Sequence, residues 1–203
     1  MRRIVMFNRL SADGYSAATN GSLDWIVPDA DFDRSAGEAI ERGGVDTILF
    51  GRRTYDLFER FWPDALDSSP TAADPHQTGH RSPEMRAMAR MLNESEKIVF
   101  STTRKELTWR NSRVVSAFEP QAVEAMKQQS GKDIMVFGSG TIVSLLATHA
   151  LIDEYRLLIS PVLLGQGRRL MDGLPHMTEL ELASVMSYQS GNVMLHYCFG
   201  RRH

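Results

Sequence analysis

The chain is poor in the features that most often announce a function. It has one cysteine, Cys198, so an internal disulfide and a cysteine-built zinc cluster are both excluded. It has little charge of either sign in excess: 23 basic against 25 acidic residues give a net charge of −2. That balance offers no electrostatic footprint for nucleic acid or an anionic membrane surface. Long apolar runs are missing. Arg2 and Arg3 precede only a short apolar stretch, so neither a signal peptide nor a membrane span is expected, and a cytoplasmic setting follows by default. No G-x-G-x-x-G follows the first strand-like run, and no Gly-Lys-Ser/Thr follows any glycine turn, which argues against a standard Rossmann enzyme and a P-loop NTPase. No repeat, low-complexity tract or domain linker interrupts the 203 residues, which suit one domain. A hydrophobic share of 42% is enough for a sizeable core.

What is present centres on 133–167. Ile134 to Phe137 form an unbroken apolar run, as in a strand buried on both faces. Gly138-Ser139-Gly140 ends it and opens a helix bearing Ile142, Leu145 and Leu146. A glycine turn at a helix N-terminus presents unpaired N–H groups and the positive end of the helix dipole, which suits a phosphate. The same turn would serve equally as a plain strand-to-helix corner. A second glycine turn, Gly165-x-Gly167, closes the stretch.

Elsewhere, apolar runs predict strands at 2–8, 45–50, 97–101 and 113–115. Helices are expected over 31–42, capped by Asp31 or Asp33, and over 54–61, 83–92 and 120–129. Asp13-Gly14 and Asn20-Gly21 read as turns. Residues 181–189 and 193–199, flanking Ser190-Gly191-Asn192, read as a C-terminal hairpin. The stretch 62–83, with four prolines and no apolar period, reads as a long loop of the lid or binding type. Alternating strands and helices with a closing hairpin predict an α/β fold with a mostly parallel central sheet.

In such a sheet the ends of parallel strands fall on one edge, where ligands bind. Three of them carry phosphate-compatible groups: Gly51-Arg52-Arg53-Thr54, Ser101-Thr102-Thr103-Arg104 and Gly138-Ser139-Gly140-Thr141. The arginines suit a phosphate monoester. A ligand with a pyrophosphate and an additional phosphate, such as NADPH, would engage all three. His76-x-x-x-His80 has metal-like spacing but lies in the loop with no acid in register, so solvated histidines are expected and no metal. His149 is expected to face a helix dipole, Asp153 and Glu154 to serve structure or a dimer contact, and the 11 methionines to fill the core.

In chain order, Ser11-x-Asp13-Gly14, Gly51-Arg52-x-Thr54, Ser101-Thr102, Gly138 to Ile142, Leu151-Ile152-Asp153-Glu154 and Pro161-Val162-Leu163-Leu164-Gly165-x-Gly167 resemble the dihydrofolate reductase-like superfamily. The resemblance is closest to the C-terminal reductase domain of the riboflavin-biosynthesis deaminase/reductase and spans nearly the whole chain. It implies an NADPH-binding fold, usually a homodimer, acting on a small heterocyclic (pterin- or pyrimidine-like) or carbonyl substrate. It further implies that Gly51, Arg52 and Thr54, with Arg53 adjacent, hold cofactor phosphates. Ser101 and Thr102 would sit by the adenosine ribose or 2′-phosphate, and Gly138, Ser139, Gly140, Thr141 and Ile142 would run under the pyrophosphate. The turn containing Gly14 and the stretch Asp24-Trp25 would flank the nicotinamide and substrate. Asp24 is then the first candidate for the polar group at the reacting centre, with Asp33 an alternative acid and Trp25 a stacking platform. Departures are evident too. Phe137 stands where the riboflavin reductase has an acid, and the zinc deaminase half is absent. A dimeric nucleotide-binding protein without efficient turnover is the rival reading.

Overall fold

The computed structural model describes residues 1–66 and 82–200. The strands are β1 (Ile4–Ser11), β2 (Tyr15–Ala17), β3 (Val45–Gly51), β4 (Glu96–Phe100), β5 (Ser112–Val115), β6 (Asp133–Phe137), β7 (Glu154–Ser160), β8 (Arg168–Arg169), β9 (Leu180–Ser187) and β10 (Val193–Phe199). The helices are α1 (Ala30–Glu41), α2 (Arg52–Glu59), α3 (Pro83–Glu94), α4 (Pro120–Gln128) and α5 (Gly140–Thr148). Eight strands form one sheet in the order β5-β4-β3-β6-β1-β7-β10-β9. Pairing is parallel from β5 through β7 and antiparallel from β7 to β10 and β10 to β9. This is the expected α/β fold of dihydrofolate reductase-like type, with the C-terminal hairpin at one margin.

The apolar residues alternate between two layers because successive strand side chains point to opposite faces. On one face Ile4, Met6, Leu49, Ile134 and Val136 pack against Val123 of α4 and Ile142, Val143 and Leu146 of α5. On the other, Ile48, Phe50, Val99 and Phe137 meet Tyr55 of α2 and Leu92 of α3, while Leu158 and Met194 meet Phe32 of α1. Residues 4–6 and 48–50 are thus buried on both sides, and Met135 between Ile134 and Val136 is half-buried, which is why these segments read as continuous apolar runs.

Two helix starts differ from the sequence expectation. The cap of α1 is Asp29, whose carboxylate accepts the Phe32 N–H at 2.8 Å; Asp31 and Asp33 lie within the first turn. The α2 helix begins at Arg52, directly after β3, because Gly51 takes the extended cap conformation. The α3 helix follows the usual start signal, Ser82 accepting from the Met85 N–H with Pro83 in the first turn.

A two-stranded ribbon of β2 and β8 had no clear sequence signal. Two close approaches make it possible. A Cβ on Gly167 would lie 2.4 Å from the Ala17 carbonyl oxygen, and one on Gly140 would lie 2.8 Å from the Leu170 carbonyl oxygen. Only glycine lets the segment after β7 lie against both β2 and the turn preceding α5. Asp13 ties the ribbon down from the other side: its carboxylate accepts from the Ser11 hydroxyl at 2.6 Å and the Gly165 N–H at 2.7 Å. These bonds, the serine hydroxyl first, hold the Asp13 carboxyl below the usual carboxylate range.

Among the described residues no helix is long and apolar enough to cross a membrane. The expected long loop at 62–83 falls largely outside the described residues, as do His76 and His80.

Candidate functional site

The C-terminal ends of β4, β3, β6 and β1 lie side by side on one edge of the sheet, because these neighbouring strands all run parallel. The three turns singled out in the sequence leave from those ends and border one cleft of 2360 Å³. That exceeds the usual volume of a single small-molecule site, roughly 300–1,000 Å³, because the depression continues past the turns to Arg3 and Asp133 at the opposite strand ends.

Two of the turns are stitched together. The Gly51 N–H donates to Ser139 Oγ at 2.8 Å, and the Ser139 N–H donates to Thr54 Oγ1 at 2.9 Å. Ser139 itself takes the left-handed conformation (φ 58°), which the next residues convert into the first turn of α5. Ser139 and Thr54 therefore each spend a side-chain oxygen on a backbone N–H, that of Gly51 and that of Ser139 respectively. The Gly140 and Thr141 N–H groups, in the first helical turn, have no partner within that turn and carry the positive end of the dipole. Both residues line the cleft, Thr141 exposed and Gly140 half-buried, while Ile142 is buried below them. Arg52 and Arg53 are exposed on the same rim, and Arg52 also pairs with Asp56 at 3.1 Å.

The third turn is held by a separate network. Ser101 Oγ accepts from the Arg104 N–H at 2.9 Å, and the Arg104 guanidinium pairs with Asp56 and Glu59 of α2. Burial acts against the Glu59 carboxylate, but donors from Thr108, Arg104 and Tyr55 overcome it and bring the carboxyl down to about 2. Ser101 and Thr102 are thereby fixed against α2, beside Arg52, and both line the cleft.

The other expected residues fall differently. Asp24 lines the cleft but is exposed, and its backbone N–H donates to Ser22 Oγ at 3.1 Å. Trp25 is half-buried, lies outside the cleft lining, and its buried Nε1 has no hydrogen-bond partner. Gly14 forms the turn after β1 with φ +87°, its N–H donating to the Ser11 carbonyl at 2.9 Å; it too lies outside the lining. Asp33 lines the cleft and forms an ion pair with Arg9 at 3.8 Å.

Several cleft residues escaped the sequence reading. Phe58 of α2, the following Phe61 and Trp62, and Phe137 of β6 build an aromatic wall, with ring centroids 5.7 Å apart for Phe58–Phe137 and 4.9 Å for Phe61–Trp62. Tyr55, Phe58 and Phe61 recur at helical spacing in the sequence, but that spacing does not say that the face borders a ligand space. Arg168 and Arg169 of β8, both exposed, bring two more cations to the rim. Asn8, buried within β1, donates to the Gly138 carbonyl at 3.3 Å and couples β1 to the glycine turn. No group of histidine, cysteine and acidic side chains among the described residues is arranged to hold a metal ion.

Solved structures share this architecture. A putative riboflavin biosynthesis protein from Shewanella sp. PV-4 superposes with a TM-score of 0.71 at 21% identity, covering 99% of this chain and 100% of its own. Acinetobacter baumannii RibD gives 0.61 at 16% identity, with 98% of this chain covering 58% of that longer protein. The fold and the cleft on the sheet's C-terminal edge thus define an α/β domain of the architecture those structures share. Residues 2–194 match the family described as the RibD C-terminal domain, and the chain belongs to that family. An uncharacterized relative, Bacillus subtilis YyaP, is 26% identical over 97% of this chain and 94% of its own length.

Proposed function

We propose that the protein is an NADPH-dependent reductase that transfers a hydride to a small heterocyclic or carbonyl substrate. The observation that carries this reading is the convergence of 51–54, 101–102 and 138–142 on one cleft, with a helix N-terminus and several arginines facing an extended space. Family membership supports a reductase in general terms.

The residues present fit a dinucleotide phosphate. Gly140 and Thr141 offer backbone donors at the end of α5, and side-chain bulk at position 140 is barred by the Leu170 carbonyl. Arg52 and Arg53, with Thr102 adjacent, offer donors for an additional phosphate, and Arg168 and Arg169 close the rim from the ribbon. When bound, NADPH supplies the hydride. The chain's own contribution is to orient a planar substrate along the aromatic surface that runs from Phe58 and Phe137 to Phe7, and to exclude water there. Asp24 is the proposed polar group at the reacting centre because it borders the cleft, exposed and with no ion-pair partner among the described residues, and Trp25 its supporting neighbour. Leu182, Val185 and Met186, exposed by 56%, 52% and 49% on the edge strand β9, support a homodimer.

One observation favours the rival, a ligand-binding protein without efficient turnover. Neither candidate acid is buried in an apolar pocket, where a proton donor is usually tuned. Titration with NADPH followed by its oxidation across pterins, pyrimidines and aromatic aldehydes separates the two. The reductase reading expects binding and turnover of at least one class. Binding with no turnover of any class would leave the rival standing.

A further inference from the structure

Arg9 is a cation set into an apolar wall. It lies on β1 two residues past Phe7 and on the same face of the sheet, opposite Leu158 of β7. Its guanidinium stands 5.0 Å over the Phe32 ring, and Phe32 stacks on Phe7 at 5.8 Å and meets Tyr188 edge-on at 5.9 Å. Arg9, Phe7, Phe32 and Tyr188 all line the cleft.

The charge is only partly answered. Asp33 is 3.8 Å away, at the long end of an ion pair. The Asp29 carboxylate is committed to the Phe32 N–H and to the Ser190 hydroxyl. Among the described residues no acceptor meets Arg9 Nη1, which is buried, yet the side chain keeps 22% of its surface open. A guanidinium is a planar fork that matches a carboxylate, and an unanswered donor in an apolar wall is costly until an acceptor meets it. The surrounding rings suit a flat apolar body.

We propose that Arg9 selects the substrate of the reductase proposed above: the cleft takes a planar aromatic or heteroaromatic compound bearing a carboxylate, its carboxylate on Arg9 and its ring against Phe7, Phe32 and Tyr188. Asp33 is then the internal competitor for the same guanidinium, displaced in part when the acid binds.

The test uses benzoate and its neutral isostere benzamide, titrated calorimetrically into the full chain without cofactor. Wild type is expected to bind benzoate at least about tenfold more tightly than benzamide. Arg9→Met, which keeps the aliphatic bulk, is expected to abolish that preference. Asp33→Asn, which removes the competitor, is expected to tighten benzoate about threefold or more and to leave benzamide unchanged. Equal affinities in wild type, no benzoate binding, a preference surviving in Arg9→Met, or weaker benzoate binding in Asp33→Asn would each overturn the assignment. The wild-type and Asp33→Asn results decide the matter should Arg9→Met fail to fold. A parallel NADPH titration keeps the two claims apart: a benzoate preference without NADPH binding removes the reductase and leaves the acid site.

Discussion

The two halves of the cleft are built on different principles. The glycine-turn half is made of backbone: three strand ends, a helix N-terminus and glycines whose side chains are barred by carbonyl oxygens 2.4 and 2.8 Å from where a Cβ would stand. The aromatic half is made of side chains contributed by β1, β6, α1 and α2, with Arg9 as its charge. Backbone geometry requires particular residues at fixed local spacing. A side-chain wall requires only bulk and flatness, and any of several elements can supply them. The first half therefore tolerates few substitutions, and the second tolerates those that keep bulk and flatness.

Substitution should separate the halves, starting with the largest effect. Gly167→Val places branched carbon against the Ala17 carbonyl and cannot be relieved by a flexible side chain. We expect a stability loss of about 2–3 kcal/mol, read by denaturant unfolding, with NADPH binding lost alongside as the ribbon detaches.

Glu59→Gln weakens the network holding Ser101 and Thr102, and should cost about 1–3 kcal/mol at neutral pH. Because the folded-state carboxyl titrates near 2, below its ordinary value of 4.5, its contribution is complete above about pH 5 and disappears as pH falls toward 2. Melting curves of wild type and Glu59→Gln should therefore converge on acidification. A gap that persists at pH 2 would mean the carboxylate is not what stabilises the network.

Arg52→Ala should reduce the preference for NADPH over NADH by about tenfold with little change in stability, since its pair with Asp56 is an exposed helical one. An unchanged preference would move the additional phosphate to another part of the rim. The smallest effect on folding is expected from Asp24→Asn, within about 0.5 kcal/mol, because the side chain is exposed and unpaired. Any loss of turnover in that variant would then be chemical rather than structural.

The same contrast explains what could be read from the sequence. The doubly buried strands at 4–8, 45–50 and 134–137 showed as apolar runs, and the turns after them as glycine-rich corners, since each signal lies within a few residues. Parallel pairing then brings 51, 101 and 138 to one edge without further information. The α1 cap was misassigned by two residues because Asp29, Asp31 and Asp33 are equivalent on paper. Only the Phe32 N–H and the Ser190 hydroxyl, the latter supplied from the hairpin turn 161 residues away, distinguish Asp29. The β2–β8 ribbon gave no signal because its strands are only three and two residues long and pair across a wide separation in sequence. Arg9 lies just past the strand expected at 2–8 and carries no signal of its own in the sequence. Its unusual setting comes from Phe32 and Asp33, which reach it from α1.

Direct titration of the full chain with NADPH, in wild type and in Gly140→Ala, tests the shared-edge account most directly. Gly140→Ala sets a methyl group against the Leu170 carbonyl, at the end of α5 where the dinucleotide phosphates are assigned. The account predicts saturable NADPH binding in wild type and at least about tenfold weaker binding in the variant. Absence of NADPH binding, or equal affinity in the two proteins, would contradict it.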